Sequence, residues 1–209
     1  MLLFSCGNNA QINESGNNLE EIKIGTQTWA TKNLDVSTFK NGDAIPEAKT
    51  NEEWIAAGDS DKPACCYYNN DLENGKKYGK LYNWYAVNDP RGLAPKGWHV
   101  PTDAEWKTLI DYLGGEQVAG TKMKNTSGWN EWNGKTGNGT NQSGLSVSPG
   151  GYRFDSGVFH SIGFASIWWT SSESGTGSAL ASVINYSDGS AHKGNNLKSF
   201  GFSVCCLRD

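Results

Sequence analysis

The sequence predicts a single α+β domain with its helices in the first half of the chain and its strands in the second. Two helix-start motifs of the form Thr-x-x-Glu begin at residues 50 and 102, and short β-type runs separated by turns follow residue 145. Nine Trp, eight Tyr and seven Phe in 209 residues supply apolar area for one core. The net charge of −4 argues against a nucleic-acid-binding protein, and no apolar stretch approaches the roughly 20 residues of a membrane span.

The first elements follow from local signals. Two short β-type runs, residues 22–24 and 28–30, predict short strands on either side of a turn. Thr50 and Glu53 form a capping box, in which each side chain is expected to bond the other residue's backbone, and predict a helix over residues 51–57.

The middle of the chain carries three further helix signals. Apolar residues at helical spacing predict a helix within residues 78–88. A second capping box, Thr102 with Glu105, predicts a helix whose apolar face holds Trp106, Leu109, Ile110 and Leu113. A shorter helix is predicted over residues 116–124, and residues 125–144 are predicted to form a long loop.

The second half of the chain is predicted to form strands. Turns are predicted at residues 155–157 and 187–189. The opening strand is expected to pair with the last one, so that both ends of the domain meet in one sheet. The predicted strands are 145–147, 151–154, 158–159, 167–170, 179–186 and 200–207.

The N-terminus resembles the end of a bacterial lipoprotein signal. An apolar run leads into Ser5 and Cys6, and a polar segment follows it. We therefore expect residues 1–19 to be a lipoprotein-type N-terminus and flexible tether, with lipid on Cys6, and residues 20–209 to be the domain. The alternative is a start codon placed by chance or a cloning remnant.

Four more cysteines form two adjacent pairs, Cys65–Cys66 and Cys205–Cys206. Neighbouring residues of a strand point to opposite faces, so neither pair is suited to hold one metal ion. In an exported protein, a disulfide bond between the two pairs is one interpretation, and four buried free thiols are the other.

Six segments, in this order, resemble the Fibrobacter succinogenes major paralogous domain, which is common in surface lipoproteins of Bacteroidetes-type bacteria. The resemblance covers about residues 20–209 and implies a C-type-lectin-like fold, with two main helices packed on a twisted antiparallel sheet and many loops. It also implies an exported protein held at the bacterial envelope. The segments are GTQTWA at 25–30 with NL at 33–34, YGKLYNW at 78–84, GWHVPTDAEW at 97–106, PGGYR at 149–153, WWTSSE at 168–173 and GFSV at 201–204.

The segment around Thr102 also resembles formylglycine-generating enzymes, so an oxidoreductase of that type is one alternative function. Those relatives use two cysteines separated by several residues, whereas Cys205 and Cys206 are adjacent and poorly placed to share a copper ion. The three histidines are far apart in sequence, and helix capping explains Asp103 and Glu105. We therefore predict no enzyme activity, no cofactor and no metal. A structural or adhesion component of the envelope is the other alternative.

Residues 178–198 are the predicted binding face, because their Tyr, Ser, Gly and Asn content is typical of adaptable binding surfaces. The expected partner is a protein or a glycan, with no nucleic acid and with membrane contact only through the lipid on Cys6. The resemblance also offers retroelement diversification of this region as one interpretation. The alternative is an ordinary solvated hairpin. The predicted contact residues are Ala179, Ala181, Ser182, Asn185, Tyr186, Ser187, Asp188, His192, Lys193, Asn195 and Asn196.

Two tryptophans of the long loop, Trp129 and Trp132, have two interpretations. Exposed indole rings would be able to stack on a sugar or a protein partner. Loop tryptophans more often fold back over the core, and we expect that arrangement here.

Overall fold

A computed structural model of the chain describes residues 19–209, and the predictions of a lipidated Cys6 and of a tether lie outside these residues. The described part is a mixed α+β structure. Its helices are α1 (Asn51–Asp59), α2 (Leu72–Tyr78), α3 (Trp84–Val87), α4 (Asp103–Tyr112) and α5 (Glu116–Met123). Its strands are β1 (Glu21–Ile24), β2 (Gln27–Ala30), β3 (Cys65–Cys66), β4 (Leu81–Tyr82), β5 (Trp98–His99), β6 (Glu131–Trp132), β7 (Lys135–Thr136), β8 (Gly150–Arg153), β9 (Phe159–Ile162), β10 (Ala165–Gly175), β11 (Ser178–Asn185), β12 (Ala191–Leu197) and β13 (Leu207–Arg208).

The strands form two main sheets. The smaller has the order β1-β2-β13-β5, and Leu207 of β13 lies opposite Trp29 of β2. The predicted pairing of the opening strand pair with the end of the chain is therefore confirmed. The larger sheet has the order β12-β11-β10-β8-β9, so β12 is an edge strand. The remaining strands form the short pairs β3–β4 and β6–β7.

The larger sheet separates two parts of the core. Strand β11 alternates, so that Ala179, Ala181 and Val183 pack in one cluster with Trp169, while Ile184 packs on the other face. The second cluster lies beneath α4 and contains Trp29, Trp106 and Trp168, whose indole rings pack in sequence at centroid distances of 4.7 and 5.4 Å. Aromatic packing on both faces therefore holds β10 and β11 in place.

Both predicted capping boxes are present. Thr50 Oγ1 accepts from the backbone N–H of Glu53, and Thr102 Oγ1 accepts from that of Glu105, each at 3.2 Å. In both boxes the glutamate carboxylate accepts the backbone N–H of the threonine. The helices after these caps, together with α5, confirm three of the predicted helices.

The helix predicted within residues 78–88 is confirmed only over Trp84–Val87, and its first half is wrong. Gly79 ends α2 with φ 74° and ψ −167°, a backbone conformation open mainly to glycine, and the chain then continues as strand β4. The Asn83 side chain accepts from the backbone N–H of Ala86 at 3.1 Å and starts the separate helix α3. The apolar residues of β4 and α3, taken together, therefore have the spacing expected of a single helix.

Other differences concern strand extent. The predicted loop 125–144 contains the β6–β7 hairpin, and residues 145–147 form only one bridge, between Val147 and Lys124. Residues 201–203 form isolated bridges, and the continuous strand is limited to β13. Strand β12 was not predicted, because its sequence AHKGNNL has no apolar alternation and becomes a strand by pairing along β11.

Candidate functional site

The predicted contact residues do not form one surface. Ala179, Ala181 and Ser182 have at most 3 % of their surface exposed and cannot contribute to an open binding face. For the two alanines the reason is the alternation of β11, which directs them into the same core cluster as Val183. Ser182 lies on the opposite face of the strand, where it is covered as well.

The other predicted residues reach the surface in three places. Alternation along β12 puts Lys193 and Asn195 on the face that α4 covers, and Lys193 Nζ lies 3.1 Å from the Asp103 carboxylate. His192 and Asn196 lie on the opposite face of β12 and are half-buried. The remaining four, Asn185, Tyr186, Ser187 and Asp188, lie at the end of β11 and in the turn after it.

Three aromatic side chains gather beside that turn. The Tyr186 ring packs edge-to-face against Phe164 at 4.9 Å and against Trp132 at 5.5 Å between ring centroids. Phe164 is 41 % exposed and Trp132 48 % exposed, so both present apolar area to solvent. We call Trp132, Phe164 and Tyr186 the aromatic cluster. Contiguous exposed apolar surface of this kind is typical of binding sites.

Backbone contacts hold the aromatic cluster in position. The Tyr186 N–H donates to the Phe164 carbonyl at 2.8 Å, and the Asn130 N–H donates to the Gly163 carbonyl at 2.9 Å. At Gly137, a Cβ atom would lie 2.2 Å from the Asn130 carbonyl oxygen at the base of the same hairpin and 3.0 Å from the Tyr186 carbonyl oxygen, so glycine allows the β6–β7 hairpin to approach Tyr186 so closely. Three separate segments are therefore fixed against one another without a ligand.

The turn after Tyr186 is equally constrained. The Asp188 carboxylate accepts from the N–H and the hydroxyl of Ser190 at 2.8 and 2.6 Å, and Lys124 Nζ donates to the Asp188 carbonyl at 2.6 Å. Partial burial acts to raise the pKa of Asp188, but the Ser190 hydrogen bonds and the Lys124 charge outweigh it and lower that pKa. Helix α5 adds a bond from the Thr121 N–H to the Gly189 carbonyl at 3.0 Å. The carboxylate therefore stays ionised beside the aromatic cluster.

Trp129 and Trp132 have opposite roles. Trp129 is buried, and its indole Nε1 donates to the Val147 carbonyl at 3.0 Å, so the expectation that it folds back over the core is confirmed. For Trp132 the same expectation is wrong, because its backbone belongs to an exposed hairpin and its ring packs only at the surface, against Tyr186.

Lys124 contacts both Asp188 and Trp129, and the protonation of its amine makes the stability of the fold depend on pH. Its Nζ also lies 4.8 Å from the centre of the Trp129 ring, and burial lowers its pKa from 10.5 to about 8. Between these values the unfolded chain holds a proton that the folded chain has released, so this group makes stability rise with pH. We expect the advantage of wild type over Lys124→Met in free energy of unfolding to grow between about pH 7.5 and about pH 10.

Urea denaturation at the two pH values measures this advantage. Lys135→Met is the matched control, because Lys135 is exposed on the β6–β7 hairpin. An advantage over Lys124→Met that stays constant across the window would show that burial does not control the protonation of Lys124.

The four described cysteines are free and buried, so the disulfide interpretation is not realised. Within each adjacent pair the two side chains enter different core clusters, as expected for neighbours that point to opposite faces. Burial raises the pKa of the Cys65, Cys66 and Cys205 thiols to about 12, 11 and 12, and that of Cys206 further. All four are protonated at neutral pH and are therefore poor nucleophiles.

A cleft of about 450 Å³ borders the second core cluster. Its interior is lined by Trp106, Trp168 and Cys205, and Lys32 and Lys76 stand at its rim. The Cys205 thiol lies 3.3 Å from the Ala30 carbonyl oxygen. The cleft thus combines indole surface with a protonated thiol.

Metal-ligating residues are dispersed over the described residues. The His99 ring lies between the Glu105 carboxylate at 3.1 Å and the Asp209 carboxylate at 2.8 Å, and both contacts give it a hydrogen-bonded structural position. Within residues 19–209, no group of three or more His, Cys, Asp or Glu side chains is arranged to hold a metal ion.

None of the helices in residues 19–209 combines the length and the apolar character needed to cross a bilayer.

Comparisons with known proteins place the chain in a family. Comparison with curated proteins and with solved structures gives no match. The model of the Fibrobacter succinogenes major domain matches residues 22–208, and the chain belongs to that family.

Proposed function

We propose that this protein is a non-enzymatic ligand-binding module that holds a protein or glycan partner against the aromatic cluster and the turn at residues 185–188. The observation that carries the proposal is the packing of Trp132, Phe164 and Tyr186 into one exposed group fixed by backbone hydrogen bonds. Tyrosine and tryptophan give large contact areas at a low cost in conformational entropy.

The surroundings of the cluster suit recognition as well. Ser187 and Asp188 are exposed next to it and offer hydroxyl and carboxylate groups to a ligand. An aromatic centre with a polar rim is the usual composition of a protein-binding site, and the fixed turn lowers the entropy lost on binding. The net charge of −4 disfavours nucleic acid as the partner.

The finer fold and the location are part of the same proposal. We assign a C-type-lectin-like fold, supported by the family membership and by α4 and α5 packing on one face of the antiparallel strands β10–β12. An exported protein, tethered at the bacterial envelope through lipid on Cys6, is consistent with the N-terminal sequence. Retroelement diversification would be accommodated at exposed Asn195 and half-buried Asn185, whereas changes at Ala179 or Ala181 would disturb the core.

The two alternative functions have less support. A formylglycine-generating type of oxidoreductase needs a reactive thiol, and the buried, protonated state of Cys205 and Cys206 argues against this role. A structural or adhesion component would have no need of the exposed aromatic cluster, which costs solubility unless a partner covers it.

Binding arrays of proteins and glycans test the proposal. A variant with Trp132→Ala and Tyr186→Ala is expected to bind any ligand found for wild type about tenfold more weakly or worse, because central aromatic residues dominate binding energy. Tyr112→Ala is the matched control, since Tyr112 is a large exposed aromatic side chain on α4, outside the cluster. Equal affinity of wild type and the double variant for that ligand would show that the binding site lies elsewhere.

A further inference from the structure

The cleft of about 450 Å³ is separate from the binding surface proposed above, because no residue of the aromatic cluster lines it. A volume of several hundred Å³ is usual for the sites of small organic molecules. The cleft is therefore large enough for a ligand of its own. Most of its lining comes from four stretches of the chain, which lie within residues 30–35, 75–79, 123–125 and 145–148.

The floor of the cleft is apolar and small. Tyr78, Val147 and Cys205 line it with 7–8 % of their surface exposed, and Leu145 and Trp168 line it with less. The thiol of Cys205 is protonated, as described above, and behaves as a small apolar group. A floor of this kind suits one apolar group, such as a phenyl ring, whereas a charged group placed on it would lose hydration.

The walls are fixed without a ligand. The Asn33 side chain donates to the Tyr78 carbonyl and accepts from Trp168 Nε1, each at 2.8 Å, so it ties three parts of the lining together. Ser146 has a left-handed backbone with φ 54°, which is held by the Asn141 side chain through bonds of 2.8 and 2.9 Å. A preformed cleft lowers the entropy lost when a ligand binds.

The rim of the cleft carries charges of both signs, and its two carboxylates are already paired. Glu20 lies 3.1 Å from the ammonium group of Lys32, and Asp35 lies 3.8 Å from that of Lys80, which is buried behind the rim. Neither carboxylate is therefore left to attract a cationic ligand. The charged residues that line the cleft are Glu20, Lys32, Asp35, Lys76 and Lys77, and all five are exposed.

The remaining two lysines leave one positive charge in excess. Lys76 pairs with Glu73, which does not line the cleft. Lys77 has no carboxylate partner among residues 19–209, and its Nζ lies 4.8 Å from the centre of the Tyr78 ring, which belongs to the lining. The ammonium group of Lys77 is thus at the cleft and free to bind an anionic group there.

We propose that this cleft is a second binding site, which takes a small monocarboxylic acid with one apolar group. The carboxylate accepts a charge-assisted hydrogen bond from Lys77, and the apolar group lies on the floor beside Val147 and Cys205. A cation would meet the excess positive charge, and a dianion would bring a second charge for which the rim has no unpaired lysine. The carboxylate and the apolar group together define the ligand class.

A methionine methyl signal gives a direct readout of binding. The chain has two methionines, Met1 and Met123, and Met123 is buried in the lining of the cleft. In the full chain labelled with ¹³C-methyl methionine, the Met123 signal is identified by its loss in Met123→Leu. We expect 3-phenylpropionate to shift this signal saturably through its ring current. The neutral 3-phenylpropanamide is expected to bind about fivefold more weakly, and the cation 3-phenylpropylammonium more weakly still.

Lys77→Gln tests the charge at the rim. It is expected to weaken the binding of 3-phenylpropionate about fivefold and to leave the binding of 3-phenylpropanamide unchanged. Because Lys77 is exposed, the variant should fold as wild type does. Lys96→Gln is the matched control, since Lys96 is an exposed lysine that does not line the cleft, and it should bind both compounds as wild type does.

The outcomes separate this inference from the proposed function. A Met123 signal that 3-phenylpropionate does not shift, or an affinity that is equal in wild type and Lys77→Gln, overturns the proposed site. The variant with Trp132→Ala and Tyr186→Ala is expected to bind 3-phenylpropionate as wild type does, whatever the arrays show for its other ligands. Loss of 3-phenylpropionate binding in that variant would place the acid on the aromatic cluster and would refute a separate site in the cleft.

Discussion

Replacing Arg153 with methionine is expected to lower the free energy of unfolding by about 3–5 kcal/mol. The side chain is fully buried, and its guanidinium donates to the carbonyl oxygens of Ala48, Thr50 and Gly157, each at 2.8 Å. Methionine fills similar space but removes the guanidinium donors, so the Ala48 and Gly157 carbonyls lose these bonds and the Thr50 carbonyl keeps only the Trp54 N–H, at 3.3 Å. Urea denaturation followed by tryptophan fluorescence measures the loss.

The environment of Arg153 explains why no simple replacement suffices. The guanidinium lies between the rings of Trp54 and Phe159, at 4.7 and 4.6 Å from their centres, so the flat group is stacked as well as hydrogen-bonded. Arg153→Lys retains the charge but loses the planar fork, and it is expected to recover only a minor part of the stability.

Arg208→Met is the matched control for this prediction. Arg208 is exposed at the end of the chain, where its guanidinium pairs with Glu21. A surface pair of this kind contributes about 0–1 kcal/mol. If Arg153→Met were no more destabilising than Arg208→Met, water would have to replace the three hydrogen bonds to carbonyl groups in the folded variant. The contribution to stability assigned to Arg153 would then be wrong.

The parts of the fold that the sequence predicted are those specified by neighbouring residues. The two capping boxes need only residues three apart, so the starts of α1 and α4 are readable at Thr50 and Thr102. Strand β10 is likewise marked by its own apolar run. By contrast, Ala48 and Thr50, the partners of Arg153 just before α1, lie about a hundred positions earlier in the chain, and no local pattern indicates them.

The wrong extent predicted for the helix within residues 78–88 has the same origin. Its apolar residues are buried because β4 pairs with Cys65 and Cys66 and because Tyr82 bonds to Phe202, which are contacts distant in sequence. Periodicity records which residues are buried, but it does not show which partners bury them. Gly79 was the local signal that a helix would not continue through this segment.

The candidate site was predicted only in part for a related reason. Composition marked residues 178–198 as a binding region, and Tyr186 with its turn lies within them. Phe164 and Trp132 come from other segments and join Tyr186 only through the folded backbone. Alternation with Val183 was a local signal that would have assigned Ala179 and Ala181 to the core.

Trp169→Ala is the second large effect, with an expected loss of about 3–5 kcal/mol in the free energy of unfolding. The indole is completely buried, its ring centre lies 4.4 Å from that of Phe202, and its Nε1 donates to the Tyr82 carbonyl at 2.9 Å. Truncation opens a cavity and removes one of the two hydrogen bonds that this carbonyl accepts, the other coming from the Phe202 N–H at 3.1 Å. Trp169→Phe keeps most of the ring and should lose clearly less stability.

Comparison with Trp132→Ala shows what the difference means. Trp132 lies on the exposed hairpin, so its truncation is expected to change stability by less than about 1 kcal/mol while it weakens ligand binding. Trp169 is expected to have the reverse profile, with binding retained in the fraction that remains folded. Both residues are tryptophans of one chain, so equal losses of stability would mean that burial does not distinguish the scaffold from the binding surface. The assignment of the aromatic cluster to ligand binding would then lose its physical basis.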